Sequence, residues 1–318
     1  MTIFSILVVL FLEQFWPLRA DNPVYGWIKI FAARVEHSFN AGRAEHGRMA
    51  WLVMVSVLVV PTLLIHWLLA LVSPFVQLIW TLLIVYLTLG FRHYSHYFTS
   101  IQMALTNNDL PEARKLLSEW TKQDVRDMET EEVARLAVEN ALITTHRNVF
   151  GVFFWLLMPF GPAGAVLYRV AEFLAREWDE SEQMKPELFG RFSGTAFYWI
   201  DWIPARLTAI AFAVVGNFED AIYAWRNFSR RWSNETVGII LSAGGGAMGV
   251  RLGTPAEYAS NVPSVELSAT DSAMPETEIL PGEAPTLRAL QSTVGLIWRA
   301  LLLWIFLLLL LSAAAWLG

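Results

Sequence analysis

Met49–Val72 reads MAWLVMVSVLVVPTLLIHWLLALV, and after Ser73-Pro74 the apolar run resumes over Phe75–Phe91 as FVQLIWTLLIVYLTLGF. Each run is near the roughly 20 residues that a helix needs to cross hydrocarbon, so the two read as a transmembrane hairpin turning at Ser73-Pro74. Pro61 lies inside the first run, where a kink is tolerable if neighbouring helices satisfy the freed carbonyl. His66 lies there too, and a lone histidine on such a segment reads as a helix-contact residue rather than a ligand.

Working outward, the composition agrees with that hairpin. Hydrophobic residues make up 55% of the 318 residues and charged ones only 16%, which excludes an ordinary soluble domain. Fifteen tryptophans fit the membrane class, because amphipathic aromatics collect at headgroup level. The net charge of -6 says little, since the acid is concentrated in two loops. There is no cysteine, which removes disulfides, thiolate metal sites and cysteine nucleophiles.

Before the hairpin, Thr2–Trp16 reads as an uncleaved first membrane segment, with Glu13 facing protein, a polar cavity or the interface. Between Arg19 and Arg48 five basic residues stand against three acidic ones, a cytoplasmic bias. Trp27, Ile28, Phe31, Val35 and Phe39 recur there at helical spacing and predict an amphipathic interfacial helix.

After the hairpin, residues 92–147 form a cytoplasmic insert whose apolar stripes are helical: Leu110, Ala113, Leu116 and Leu117, then Val133, Leu136, Ala137 and Asn140. Asp109 and Thr130 are its helix starts. Arg92, His93 and His96 have metal-ligand spacing but no nearby carboxylate, so a basic collar at the headgroups is the better reading. No metal site is expected.

The insert ends in a charged helix carrying Arg135, Glu139, His146 and Arg147, which feeds into Val149–Leu157. Ionisable groups delivered to the lip of an apolar segment build a polar site at a membrane surface, since charge is costly further in. Val149–Leu174 is broken by Pro159-Phe160-Gly161-Pro162 and is either one kinked span or two half-helices that turn back. Residues 172–191 carry six acidic against three basic residues. They lie outside if that segment crosses and inside if it turns back.

Thr195–Phe218 is the next span, holding Asp201, Pro204 and Arg206, a pattern that suggests an intramembrane ion pair lining a polar cavity. Gly244-Gly245-Gly246 with Gly249 and Gly253 suits close backbone packing better than phosphate binding, because the lysine and hydroxyl of a P-loop are missing. Residues 254–286 hold five prolines, six acidic residues and no basic one, and read as a flexible acidic loop. Val294–Leu317 is the last span. Counted as six crossings, the chain is an all-α, polytopic single membrane domain over 1–318.

These residues resemble the CobD/CbiB family of adenosylcobinamide-phosphate synthases and its relative AmpE, a membrane partner in β-lactamase regulation. The similarity is carried by Ala104-Leu105, Asp109-Leu110 and Ala113-Arg114, then Asp124, Ala134-Arg135 and Ala137-Val138-Glu139. It continues through Phe154-Trp155, Tyr168-Arg169, Phe189-Gly190, Pro204-Ala205-Arg206-Leu207-Thr208 and Gly249-Val250-Arg251-Leu252-Gly253. Departures fall on polar positions: Ile143-Thr144 for an EN pair, Arg147-Asn148 for Asp-Gly, Ala175 for an acid and Asp201 for an asparagine. Met1-Thr2 with Phe4, Asn140-Ala141-Leu142 and Asp201-Trp202 are the AmpE-like features.

The resemblance implies one of two functions. With three family carboxylates replaced, the leading expectation is a non-catalytic or altered member that regulates or senses, with a polar anion-binding cavity at the membrane surface. The alternative is a working adenosylcobinamide-phosphate synthase, an amide-forming ligase that joins an aminopropanol (phosphate) to adenosylcobyric acid. A transporter ranks last, since no internal repeat supports one.

No catalytic residue is assigned. Asp124, Arg135, Glu139, Arg147 and Arg169 are the candidate ligand-binding residues, and Glu13, Asp201 and Arg206 the intramembrane polar ones. No cofactor is firm; the synthase reading implies ATP with magnesium and a corrinoid. The expected partners are the lipid bilayer of a bacterial inner membrane, crossed several times, and a membrane or cytoplasmic protein, with no nucleic acid.

Overall fold

The computed structural model describes residues 2–16, 23–40, 44–89, 91–180, 189–253 and 282–317. It is helical throughout, and among the described residues the only β contact is a single bridge between Val250 and Glu283. Thirteen helices are named here in chain order. These are α1 (Thr2–Phe15), α2 (Pro23–Phe39), α3 (Ala44–Val72), α4 (Pro74–Thr88), α5 (Phe91–Thr106), α6 (Leu110–Thr121) and α7 (Thr130–Thr145). Then come α8 (Gly151–Leu157), α9 (Pro162–Leu174), α10 (Arg191–Val215), α11 (Phe218–Phe228), α12 (Glu235–Met248) and α13 (Leu287–Leu317). Two π-helical turns interrupt the pattern, at His146–Phe150 between α7 and α8 and at Ala175–Glu180 after α9.

The chain divides into two compact units, one of residues 1–94, 145–204 and 308–318, the other of 95–144 and 205–307. In the first, α3 and α4 form the expected hairpin: the Ser73 hydroxyl accepts from the Phe75 N–H at 3.2 Å, and Pro74 occupies the first turn, where no N–H is needed. Helix α3 packs on α4 and α9, α1 on α4, and α2 on α3. The apolar window of α3 is only 11% buried, and Leu64, Leu68 and Leu71 stand outward. An apolar surface of that extent belongs against lipid.

Helices α3, α10 and α13 are long and apolar enough to cross a membrane, while Phe4–Glu13 and Pro74–Thr88 are apolar but shorter. The protein is therefore an all-α membrane protein, and the count of six crossings is corrected at Val149–Leu174. That stretch is two short helices, α8 and α9, joined by a turn in which the Gly161 N–H donates to the Met158 carbonyl at 2.8 Å. Gly161 has φ +53°, and Pro162 starts α9. Gly164 lies on the Trp155 carbonyl and Gly151 on the Tyr168 ring, an antiparallel register in which a Cβ at either position would collide with the facing helix. The segment turns back.

Within residues 92–147 the helices start where the sequence marks them. The Asp109 carboxylate accepts from the Glu112 N–H at 3.1 Å and caps α6, and α7 starts at Thr130. Ala113, Leu117, Val133 and Ala137 are fully buried, so the inward stripes are those the spacing marks. The side chains of Arg92 and His93 lie outside the described residues, as do 181–188 of the acidic 172–191 stretch and 254–281 of the proline-rich one.

In the second unit α11 packs on α12, with Gly246 at that contact and Gly245 against the segment that follows α12. A methyl group on Gly246 would fall on the Asp220 carbonyl oxygen and 2.8 Å from the Ala221 Cα, and one on Gly245 would fall 2.6 Å from the Val250 carbonyl oxygen. These glycines sit inside a helix with their backbone N–H groups spent, which settles them as packing residues and not a phosphate cradle. Gly249, at φ +69°, ends α12 in the left-handed conformation. Gly246→Ala is expected to destabilise the detergent-solubilised protein by about 1–3 kcal/mol, since backbone must shift. Gly295→Ala, where a Cβ would meet nothing within 4 Å among the described residues, is expected to leave the unfolding temperature unchanged or slightly raised.

Candidate functional site

Helix α9 carries Arg169, Glu172 and, one turn on in the π-helical segment, Arg176, a spacing of three and four residues that puts all three on one face. The Glu172 carboxylate is 3% exposed and receives Arg176 Nη1 at 3.2 Å, Arg169 Nη1 at 3.4 Å and Arg147 Nη1 at 3.9 Å. Three guanidiniums thus face one carboxylate. Burial by itself would raise the Glu172 carboxyl, but Arg176, Arg169 and Arg147 outweigh it and hold the group below its ordinary 4.5.

Arg169 is the most committed of the three. Its Nη1 also donates to Asn148 Oδ1 at 2.5 Å, and its Nη2 donates to the Tyr25 hydroxyl on α2 at 2.7 Å. Its Nε is buried with no partner among the described residues. Arg147 lies over the Phe197 ring at 5.8 Å, and Lys29 of α2 reaches Glu177 at 3.5 Å. Arg176, 47% exposed, is the outer edge of the cluster. Both π-helical turns contribute to it, Arg147 and Asn148 from the first and Arg176 and Glu177 from the second, and such turns recur at functional sites.

Next to this cluster in sequence, His146 and Tyr168 meet Asp201. The carboxylate Oδ1 of Asp201 accepts from His146 Nε2 and from the Tyr168 hydroxyl, both at 2.8 Å, with all three side chains buried. The pair anchors α10 to the first π-helical turn, which sets where Arg147 and Asn148 point. Pro204, inside α10, cannot bond to the Ile200 carbonyl four residues back, and the Trp155 indole N–H donates to that carbonyl at 3.1 Å.

The sequence-derived candidates therefore separate. Arg147 and Arg169 come together around Glu172. Arg135 and Glu139 belong to the second unit, where Glu139 Oε1 takes Arg135 Nη1 at 2.9 Å and the Gly253 N–H at 2.7 Å; this buried clamp ties down the segment after α12 and is not an ordinary surface pair. Asp124 is an exposed partner of Arg126, whose hydrogen bonds lower its carboxyl to about 2. The expected Asp201–Arg206 pair is corrected: Asp201 belongs to His146 and Tyr168, while Arg206 reaches Glu235 at 3.3 Å. Glu13 is buried in the first unit.

Sequence reasoning missed Glu172, Arg176, Asn148 and Tyr25 as members of the cluster. The Arg169, Glu172, Arg176 spacing was a readable signal; the approach of Tyr25 from α2 was not. His66 hydrogen-bonds Gln77 at 3.0 Å in the hairpin, in keeping with a contact residue.

The cluster suits an oxyanion. A magnesium ion would find one carboxylate already shared by three cations, and among the described residues no group of three or more His, Asp or Glu side chains is placed to hold a metal. Glu172→Gln is expected to lower stability near neutral pH by about 3 kcal/mol, because the guanidiniums lose their counter-charge. The depressed carboxyl stabilises the wild type fully above the ordinary carboxylate range and loses that contribution as pH falls through its folded-state value. Thermal unfolding across that range should therefore show a wild-type loss on acidification that the variant largely lacks.

Residues 13–281 match the model of the family described as CobD/Cbib protein. The chain is 32% identical over 297 residues to the cobalamin biosynthesis protein CobD of Stutzerimonas stutzeri, covering 92% of this chain and 91% of that one. It is 32% identical to the cobalamin biosynthesis protein CobD of Chromobacterium violaceum over 64% of each chain. The protein of that name from Desulfotalea psychrophila is 26% identical over 74% of this chain and 76% of its own. No solved structure gives a significant match.

Proposed function

Because this chain belongs to the CobD/CbiB family, we propose that it is a membrane-bound synthase of cobalamin biosynthesis, joining an aminopropanol (phosphate) to the carboxylate of adenosylcobyric acid. The observation that carries the reading is the similarity along nine-tenths of both chains to a relative named for cobalamin biosynthesis. The Glu172 cluster supports it chemically. Arg147, Arg169 and Arg176 bring three guanidinium groups together, with the Arg169 Nε buried and without a partner among the described residues, and guanidinium donors of this kind suit a carboxylate or phosphate ester on leaving water.

In this reading the residues of the cluster divide the work. Arg176 meets the anionic group first, Arg169 and Arg147 bind it deeper, and Tyr25 and Asn148 hold Arg169 in place. The one carboxylate there, already shared by three guanidiniums, does not suit magnesium. Placed in an inner membrane with several crossings, the turned-back α8–α9 pair brings this cluster to the same cytoplasmic side as the basic stretch from Arg19 to Arg48.

The regulatory reading yields first place because the relatives carry a biosynthetic name. It keeps one support, Ile143, Arg147 and Ala175 at positions where the family resemblance implies carboxylates. Expression in a bacterium lacking its own CobD-type protein separates the two. The wild type is expected to restore cobalamin-dependent growth and Arg169→Ala to lower product formation about tenfold or more, the worth of a charge-assisted bond. A wild-type protein that inserts into the membrane, is folded and restores nothing overturns the synthase reading.

A further inference from the structure

Helix α2 presents two unlike faces. Ala32 and Val35 are buried and Tyr25 and Ile28 half-buried, so these four define the side packed on the protein. Trp27 and Ile30 point the other way, 76% and 61% exposed, with Arg34 and His37 continuing that side toward the C-terminus. The stripe expected from spacing is corrected accordingly: Ile28 and Val35 turn inward, and the outer pair is Trp27 with Ile30. A large aromatic and an isoleucine beside basic side chains suit neither bulk water nor hydrocarbon. They suit the layer between.

The position of α2 fixes which surface that is. It packs on α3, and residues 41–43 alone separate Asn40 from the start of that helix. Helix α3 becomes a candidate span at Glu45, and its Met49 and Leu52 are already about half exposed. The outer face of α2 therefore continues the lipid-facing surface of α3 at the end of the span, at headgroup depth. Its basic residues complement anionic headgroups.

We propose that α2 is a strap seated on the bilayer: Trp27, Ile30 and Arg34 rest among lipid headgroups, while the opposite face forms a wall of the Glu172 cluster. Two contacts make the wall, the Tyr25 hydroxyl on Arg169 and Lys29 on Glu177. The lipid surface thereby helps hold Arg169 in its binding position. The proposal stands apart from the reaction assigned above, since it concerns where α2 lies and not what the cluster turns over.

The chain has no cysteine, so single-cysteine variants carry a spin label without background. Ile30→Cys is placed in proteoliposomes of phosphatidylethanolamine and phosphatidylglycerol, with Leu68→Cys on α3 as lipid reference and Glu119→Cys on α6 as aqueous reference. Collisions with oxygen and with a water-soluble nickel complex are then compared. At Ile30 the oxygen-to-nickel ratio is expected several-fold above that at Glu119 and below that at Leu68. A ratio equal to that at Glu119 overturns the proposal, and so does protection from both reagents, which would mean that a second copy or another protein covers the face. If the label disturbs α2, quenching by brominated lipids is read as the difference between the wild type and Trp27→Phe. A quenched component must disappear with Trp27, and its persistence unchanged overturns the proposal equally.

Discussion

A carboxylate taken out of water needs positive charge at hand, and Glu172, with 3% of its side chain exposed, has Arg176, Arg169 and Arg147 around it. Much of the first unit is arranged by that requirement. Arg169 and Arg176 come with the helix that carries Glu172, whereas Arg147 has to be delivered by the first π-helical turn. Once Arg169 is buried its own donors must be met, which brings Asn148 and, from α2, Tyr25. Neutralising one charge has gathered four elements.

The backbone faces the same rule in another form. Every carbonyl in an apolar surrounding needs a donor, and the Ile200 carbonyl loses its own to Pro204. Trp155 supplies the replacement from α8, which can reach because α8 and α9 fold back on each other. That close approach rests on Gly151 and Gly164, since a side chain on either would collide with the facing helix. The Asp201 carboxylate completes the arrangement by accepting from His146 and Tyr168, so the helix that carries the proline is bound on one side to α8, to α9 and to the π-helical turn between α7 and α8.

A good deal of this was legible from residues alone. The hairpin at Ser73-Pro74, the helix starts at Asp109 and Thr130 and the inward stripes of the insert follow from local patterns: apolar run length, capping chemistry and 3.6-residue spacing act within a turn or two of chain. Two of the six residues of the candidate cluster were legible in the same way. Arg147 and Arg169 stood out as charges at the edge of apolar stretches, yet Glu172 between Arg169 and Arg176 passed as one more acid in an acidic loop.

What the sequence by itself determined is the class of protein, its family and most of its helices, because hydropathy and helical period are local quantities and conserved-looking motifs are strings. Tertiary structure alone decided that Val149–Leu174 turns back, that Asp201 belongs to His146 and Arg206 to Glu235, and that Glu139 clamps Gly253. Those outcomes depend on which distant group is near enough to satisfy a buried charge or carbonyl. Partners 29, 55 and 114 residues away leave no periodic trace in the chain, so only the packed helices reveal them.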